Sequence, residues 1–425
     1  MADTKKEHPD IESENKFIKK RPNFVGWAVF VFTISIVIIS LISVVFPALI
    51  ASNNSTAKAL EEFGVVLLEV DAFQAGIWAA SLLAANFIVF VIAVLYFKKR
   101  LPESIKNAID FVFSFEVSKK VAFIALAALL VIYVGASAGE LAVEEEWEDY
   151  VGLKKRVDNW SPDQVATQFE PHVRYFLLWS SLLLFGNYAV IPFLASISLV
   201  LLTYFFTVKL TKKRFAGIVS TVILLQSNIF LTYDTTVSYT NFWIVFYLLS
   251  LYLIFKAWPL SPVSYFLSIP SKAMTVMFFP MSLFFIYRTN ISRIKKIIVA
   301  ASTTAIILAG LIAASVYGIN LSAVAGTQEE FDSDEFWLGF TSFSYQLRFD
   351  GLVLLFILPL VVGLFIASRH GFKHAESMMV LLGGMLLITP LLTGYTDQTN
   401  QPYRFVPFVV FFAISVGVLL SKRKN

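Results

Sequence analysis

The 425 residues are 57% hydrophobic and only 15% charged, with a formal net charge of +4 and no cysteine. Soluble domains carry about a quarter charged residues, whereas here the apolar residues come in blocks of about twenty, the length of helix that crosses hydrocarbon. That excludes an ordinary soluble domain. A β-barrel is excluded because its strands would be short and alternating, and disulfides and Cys-based chemistry go with the missing cysteines. The class is an all-α, polytopic helical membrane protein.

Residues 1–23 are polar and rich in Lys, Glu and Asp, which reads as a cytoplasmic tail and not a signal peptide. A first span is expected at about 24–50, an acidic outside loop follows, and a second span covers about 73–97, ending in Lys98, Lys99 and Arg100. Residues 101–119 alternate apolar and charged groups at helical spacing, as an amphipathic helix on the cytoplasmic surface does. A third span at about 120–138 leads to the longest polar interval, 139–187. It is acidic at Glu140, Glu144, Glu145, Glu146, Glu148 and Asp149, and basic at Lys154, Lys155 and Arg156. His172 and Arg174 open a short apolar segment, Tyr175 to Phe185, read as a helix in the outer interface.

Spans follow at about 188–209, 215–232 and 240–257, with an outside turn, YDTTVSYTN, between the last two. Residues 259–288 read as two short segments broken by Pro259, Pro262, Pro270 and Pro280, with Lys272 at the break. Further spans at about 297–318, 351–368, 378–393 and up to 420 complete the chain, with a second long outside loop at 319–350. The total is about twelve crossings with both termini inside, because Lys/Arg clusters beside the spans then face the cytoplasm. Lys154 to Arg156 are the exception, in a long loop that crosses regardless of charge. Asn53, Asn54 and Asn320 begin N-x-S/T sequons in outside loops, whereas Asn290 begins one inside.

There is no P-loop, GxGxxG, HExxH or GxSxG pattern. His370 and His374 have i, i+4 spacing, but in a short basic loop they read as solvated residues and not as a metal pair. The polar candidates are Glu148, Asp149, His172, Arg174, Asp234, Lys272, Asp397 and Arg404, all placed near the outer membrane edge. Ionisable groups at membrane level are costly, which makes them candidates for function.

Several stretches resemble the GT-C class of integral-membrane glycosyltransferases, in the family order: EWEDYVGLKK, EPHVRYFLLWSSLLLFGN and the span after it, SNIFLTYDTTVSYTNFWIVF, SIPSKAMTVMFFPMSLFFIY and QPYRFVPFVVFF. The likeness covers about 120–421, so 24–119 is expected as an extra pair of N-terminal spans and the surface helix, ahead of a core at 120–425. The resemblance implies transfer of a sugar, with inversion, from a polyprenyl or dolichyl phosphate to a protein, lipid or glycan acceptor outside the cytoplasm. Glu148 or Asp149 would be the base, with Glu146 and Asp158 next in line. Arg404, Lys272 and Arg174 would hold the leaving phosphate. Asp234 and His172 would bind the acceptor or a metal. No obligatory cofactor is implied, though a divalent cation is admitted. Membrane lipids are expected partners and nucleic acid is not. Two other readings remain at this point, a transporter or flippase of lipid-linked material and a non-catalytic membrane scaffold.

Overall fold

The computed structural model describes residues 24–51, 71–146, 148–159, 172–316, 330–395 and 402–421. The tail 1–23, Asp397, the sequons at Asn53, Asn54 and Asn320, and the side chains of Glu148 and His172 lie outside what it describes. Among the described residues every regular element is helical. In chain order the first elements are α1 (Phe24–Val45), α2 (Pro47–Ala51), α3 (Ala79–Phe97), α4 (Glu103–Ser114) and α5 (Lys119–Ser137). A 3-10 turn, Ala138–Ala142, leads to α6 (Glu148–Asp158), α7 (His172–Phe185), α8 (Val190–Thr211), α9 (Arg214–Leu225), α10 (Asn228–Thr232) and α11 (Phe242–Lys256). Then come α12 (Ser261–Ser268), a 3-10 turn at Ala273–Phe278, α13 (Phe279–Arg288), α14 (Arg293–Val316), α15 (Ser333–Gly339) and α16 (Thr341–Leu347). The chain closes with α17 (Gly351–Arg369), α18 (Lys373–Thr393), a 3-10 turn at Pro402–Phe405 and α19 (Val406–Leu419).

Seven helices among the described residues are long and apolar enough to cross a membrane: α1, α3, α5, α8, α17, α18 and α19, the last counted with its 3-10 turn. The sequence expects about twelve crossings, more than these seven long apolar helices. The expected span at 215–232 is the clearest case. α9 has only 12 residues, about 18 Å of helix, and the chain breaks at Gln226 and Ser227. The break is held by Asp350, just ahead of α17. Its carboxylate accepts hydrogen bonds from the Ser227 hydroxyl at 3.0 Å, the Asn228 N–H at 2.8 Å and the Ile229 N–H at 3.2 Å. Those N–H groups open α10 and would otherwise lack partners. Residues 259–288 are broken as the prolines require. Pro262 and Pro280 sit in the first turns of α12 and α13, where a missing N–H costs nothing.

α19 runs through the centre, packed by α8, α9, α17 and α18, and nearly all its side chains are buried. Small residues let the backbones approach: a Cβ on Gly417 would lie 2.2 Å from Ser220 Oγ and 2.5 Å from Thr207 Cγ2. Helix α1 is packed into the bundle. It packs against α16, α17 and α18, and its Thr33 hydroxyl donates to the Met379 carbonyl at 3.0 Å. The apolar side chains of α1 and of α17 to α19 belong to one buried cluster. The end of the bundle where α13 closes is tied by Arg288, which pairs with the Glu376 carboxylate of α18, while Ser368 of α17 donates to the same carboxylate at 2.9 Å. Asn290 follows in an exposed turn.

Candidate functional site

The site is organised by the segment 233–241, between α10 and α11. Three elements converge on it. Glu145 accepts from the backbone N–H of Val237 and, at 3.1 Å, of Ser238. Arg174, in the first turn of α7, donates to the carbonyls of Val237, at 3.3 Å, and Ser238. Glu140 accepts from the Thr235 hydroxyl at 2.9 Å. Tyr150, Leu153 and Val157 of α6 and Tyr175 and Leu178 of α7 form a small buried cluster with Val237 and Phe242. The acidic interval is therefore not a loosely solvated loop. It is docked onto this segment by hydrogen bonds and apolar burial.

From the segment, one line of contacts leads to the basic residues. Asp149 stands at the start of α6, where a carboxylate complements the helix macrodipole, and its Oδ2 accepts from the Tyr239 hydroxyl at 3.0 Å. The Tyr239 ring stacks on Tyr403, with centroids 4.4 Å apart and planes 15° from parallel. Tyr233 packs edge-on against both. The Lys272 ammonium donates to the Tyr403 hydroxyl at 2.8 Å. Burial lowers the Lys272 pKa; the Tyr403 hydroxyl opposes this, and the charges of Arg174 and Arg404 add to it. Lys272 and Arg404 therefore stand at the Tyr403 end of the line, Arg174 on the neighbouring 237–238 carbonyls acts on Lys272, and one carboxylate stands at the Tyr239 end. Burial and the bond to Asp149 both raise the Tyr239 pKa, so that hydroxyl stays a donor.

Asp234 belongs to the same segment but faces elsewhere. Its Oδ2 accepts from Ser137, at the end of α5, at 2.8 Å, and its carbonyl accepts from Ser196 of α8 at 2.7 Å. It is 1% exposed. Burial pushes its carboxyl up to about 6, against the pull of Ser137 and Tyr133, with Glu140 raising it further. Asp234 and Glu140 are two carboxylates. No group of three or more His, Cys, Asp or Glu side chains suited to a metal occurs among the described residues.

The sequence candidates therefore divide. Asp149, Arg174, Lys272 and Arg404 are brought together around Tyr239 and Tyr403. Asp234 is turned toward α5. The backbones of Glu148 and His172 open α6 and α7. His370 and His374 do not share a helical face. His370 follows α17 and its Nδ1 bonds the Ile366 carbonyl at 2.8 Å, whereas His374 sits on α18 among Phe255, Phe285 and Phe372. Sequence reasoning missed Tyr239 and Tyr403. Their signal was adjacency: one Tyr beside Arg404, the other at the end of the polar turn that holds Asp234.

No family model, no curated protein and no solved structure matches the chain.

Proposed function

We propose that the chain is an integral-membrane glycosyltransferase of the GT-C type, moving a sugar from a polyprenyl or dolichyl phosphate to an acceptor on the far side of the membrane from its termini. The observation that carries this reading is the line Asp149–Tyr239–Tyr403–Lys272, which sets a carboxylate across an aromatic pair from Lys272 and Arg404, with Arg174 acting on Lys272. Topologically the reading keeps about twelve crossings, with the shorter helices α9 to α13 as broken or partial spans and the 24-residue α14 as a further crossing.

The chemistry follows from the charges. The acceptor oxygen or nitrogen attacks C1 of the donor sugar. Its proton passes to Asp149, whose second carboxylate oxygen is not engaged by Tyr239. The C1–O bond to the carrier breaks, and its electron pair leaves on the lipid phosphate. Lys272, Arg404 and Arg174 stabilise the charge building there, aided by the partial burial of Lys272. Direct displacement inverts the configuration at C1. Tyr239 holds Asp149 in place and links its position to that of Tyr403.

The test is transfer by the full-length protein in proteoliposomes, supplied with a radiolabelled polyprenyl phosphate hexose and a membrane extract as acceptor pool. Label leaving the carrier together with released polyprenyl phosphate is the expected result. Lys272→Met and Arg404→Gln should weaken binding of polyprenyl phosphate itself. No transfer, combined with carrier binding that is indifferent to both substitutions, refutes the proposal.

A further inference from the structure

Helix α4 lies at the far end of α5 from Asp234, about 28 Å away along 19 residues of helix. It connects the end of α3 to the start of α5, two helices long and apolar enough to span. By that connectivity it lies where both leave the hydrocarbon. It has 12 residues, none of them buried. Ile105, Ala108, Ile109 and Val112 fall on one side of the helical wheel, the pattern of a helix half-sunk in an interface. Ile105 is 45% exposed and Val112 42%, while Ile109 is half-buried, so that side is only partly covered by the described residues.

Yet α4 is firmly held. Lys213, at the corner between α8 and α9, is fully buried. Its ammonium donates to the Phe113 carbonyl at 2.7 Å and the Val112 carbonyl at 3.4 Å, which close the C-terminal end of α4. Glu116 accepts from the Arg214 N–H at 3.0 Å, and the Tyr96 hydroxyl of α3 donates to Asp110 at 2.6 Å. A buried lysine thus fixes the pose of a helix whose apolar side stays largely open among the described residues.

The charge around the helix completes the picture. Lys98, Lys99 and Arg100 precede it, Lys106 lies on it, and Lys119 and Lys120 follow it, all exposed. None of the six forms an ion pair among the described residues. Asp110 and Glu116 are engaged by Tyr96 and Arg214, as above, which leaves Glu103 as the nearby acid of α4 without such a bond. Lys119 and Lys120 occupy the first turn of α5, where the macrodipole disfavours cations. A position that costs helix stability calls for a compensating anion outside the protein.

We propose that α4 and its flanking cations form a binding surface for anionic phospholipids of the leaflet on which the helix lies. The apolar side enters the acyl boundary, and the six cations pair with headgroup phosphates. This is separate from the sugar-transfer site and independent of it.

The test measures retention of fluorescent phosphatidylglycerol against phosphatidylcholine by the full-length protein in a non-ionic detergent. The wild type should retain phosphatidylglycerol preferentially, and added salt should abolish the preference. Lys119→Gln with Lys120→Gln should each weaken retention by about fivefold, the worth of one cation near a charged surface. Lys106→Gln, on an exposed side chain outside the turns, should show the same loss with an unchanged melting temperature in phosphatidylcholine. Equal retention of both lipids by the wild type overturns the proposal. So does a preference that survives all three substitutions, or one seen only after residues 1–23 are deleted, which would make the tail the occupant.

Discussion

At the scale of single residues, the two acids of the site are set to different tasks by their surroundings. Asp149 keeps one carboxylate oxygen on Tyr239 and is otherwise open to solvent. Asp149→Asn should leave carrier binding intact and lower the transfer rate by about 10²–10⁴ fold, the usual worth of a general base; single-turnover kinetics at saturating donor would show it. Tyr239→Phe keeps the stack on Tyr403 and removes only the bond to Asp149, so its loss should be smaller and fall in the rate, not in donor affinity. Asp234 is instead a buried group whose folded pKa, about 6, lies above its ordinary 3.8. Between those two values the folded protein holds a proton that the unfolded chain has released. Stability therefore falls as pH rises through that window and is level above it. The shift corresponds to about 3 kcal/mol. Asp234→Asn should flatten the dependence and raise the melting temperature above pH 6; a variant that melts lower there, with the wild-type slope, would contradict it.

At the scale of elements, the long helices were legible because twenty apolar residues in a row admit few other structures, and α3, α5, α17 and α18 lie close to where hydropathy puts them. The amphipathic α4 was legible from its periodicity. The break in α9 was not, since 215–232 reads as one apolar run and the group that stabilises the break, Asp350, comes more than a hundred residues later. Partners so distant leave no local mark. The same holds for the site: Lys272 and Arg404 stood out as charges near the membrane, but the Tyr239–Tyr403 stack that joins them to Asp149 exists only once α11 and α19 are in place. Close packing gives a further prediction. A methyl on Gly417 would collide with Ser220, Thr207 and the Ala216 carbonyl. Gly417→Ala should destabilise the bundle by about 1–3 kcal/mol, as overpacking does, measured as a lower midpoint in detergent melts.

At the scale of the whole molecule, α5 sets α4 and the 233–241 segment at opposite ends of one apolar helix, so the two should lie on opposite sides of the bilayer. The chain's lack of cysteine makes this directly testable. Lys99→Cys and Lys155→Cys replace exposed side chains at the two ends; in sealed vesicles a membrane-impermeant maleimide should label one and not the other, and labelling of both would contradict the arrangement. The Asp350 contact, finally, carries a consequence in time. Ser227 and Asn228 are made first, and the carboxylate that satisfies them follows 123 and 122 positions later. At about 5–20 residues per second, synthesis takes about 6–25 s to supply it. Through that interval the N-terminal turn of α10 has no Asp350 to bond, so the break between α9 and α10 lacks this support until residue 350 has been made. The break is thus completed late, and a chain truncated before residue 350 should leave this part of the protein exposed to proteases long after its earlier helices have inserted.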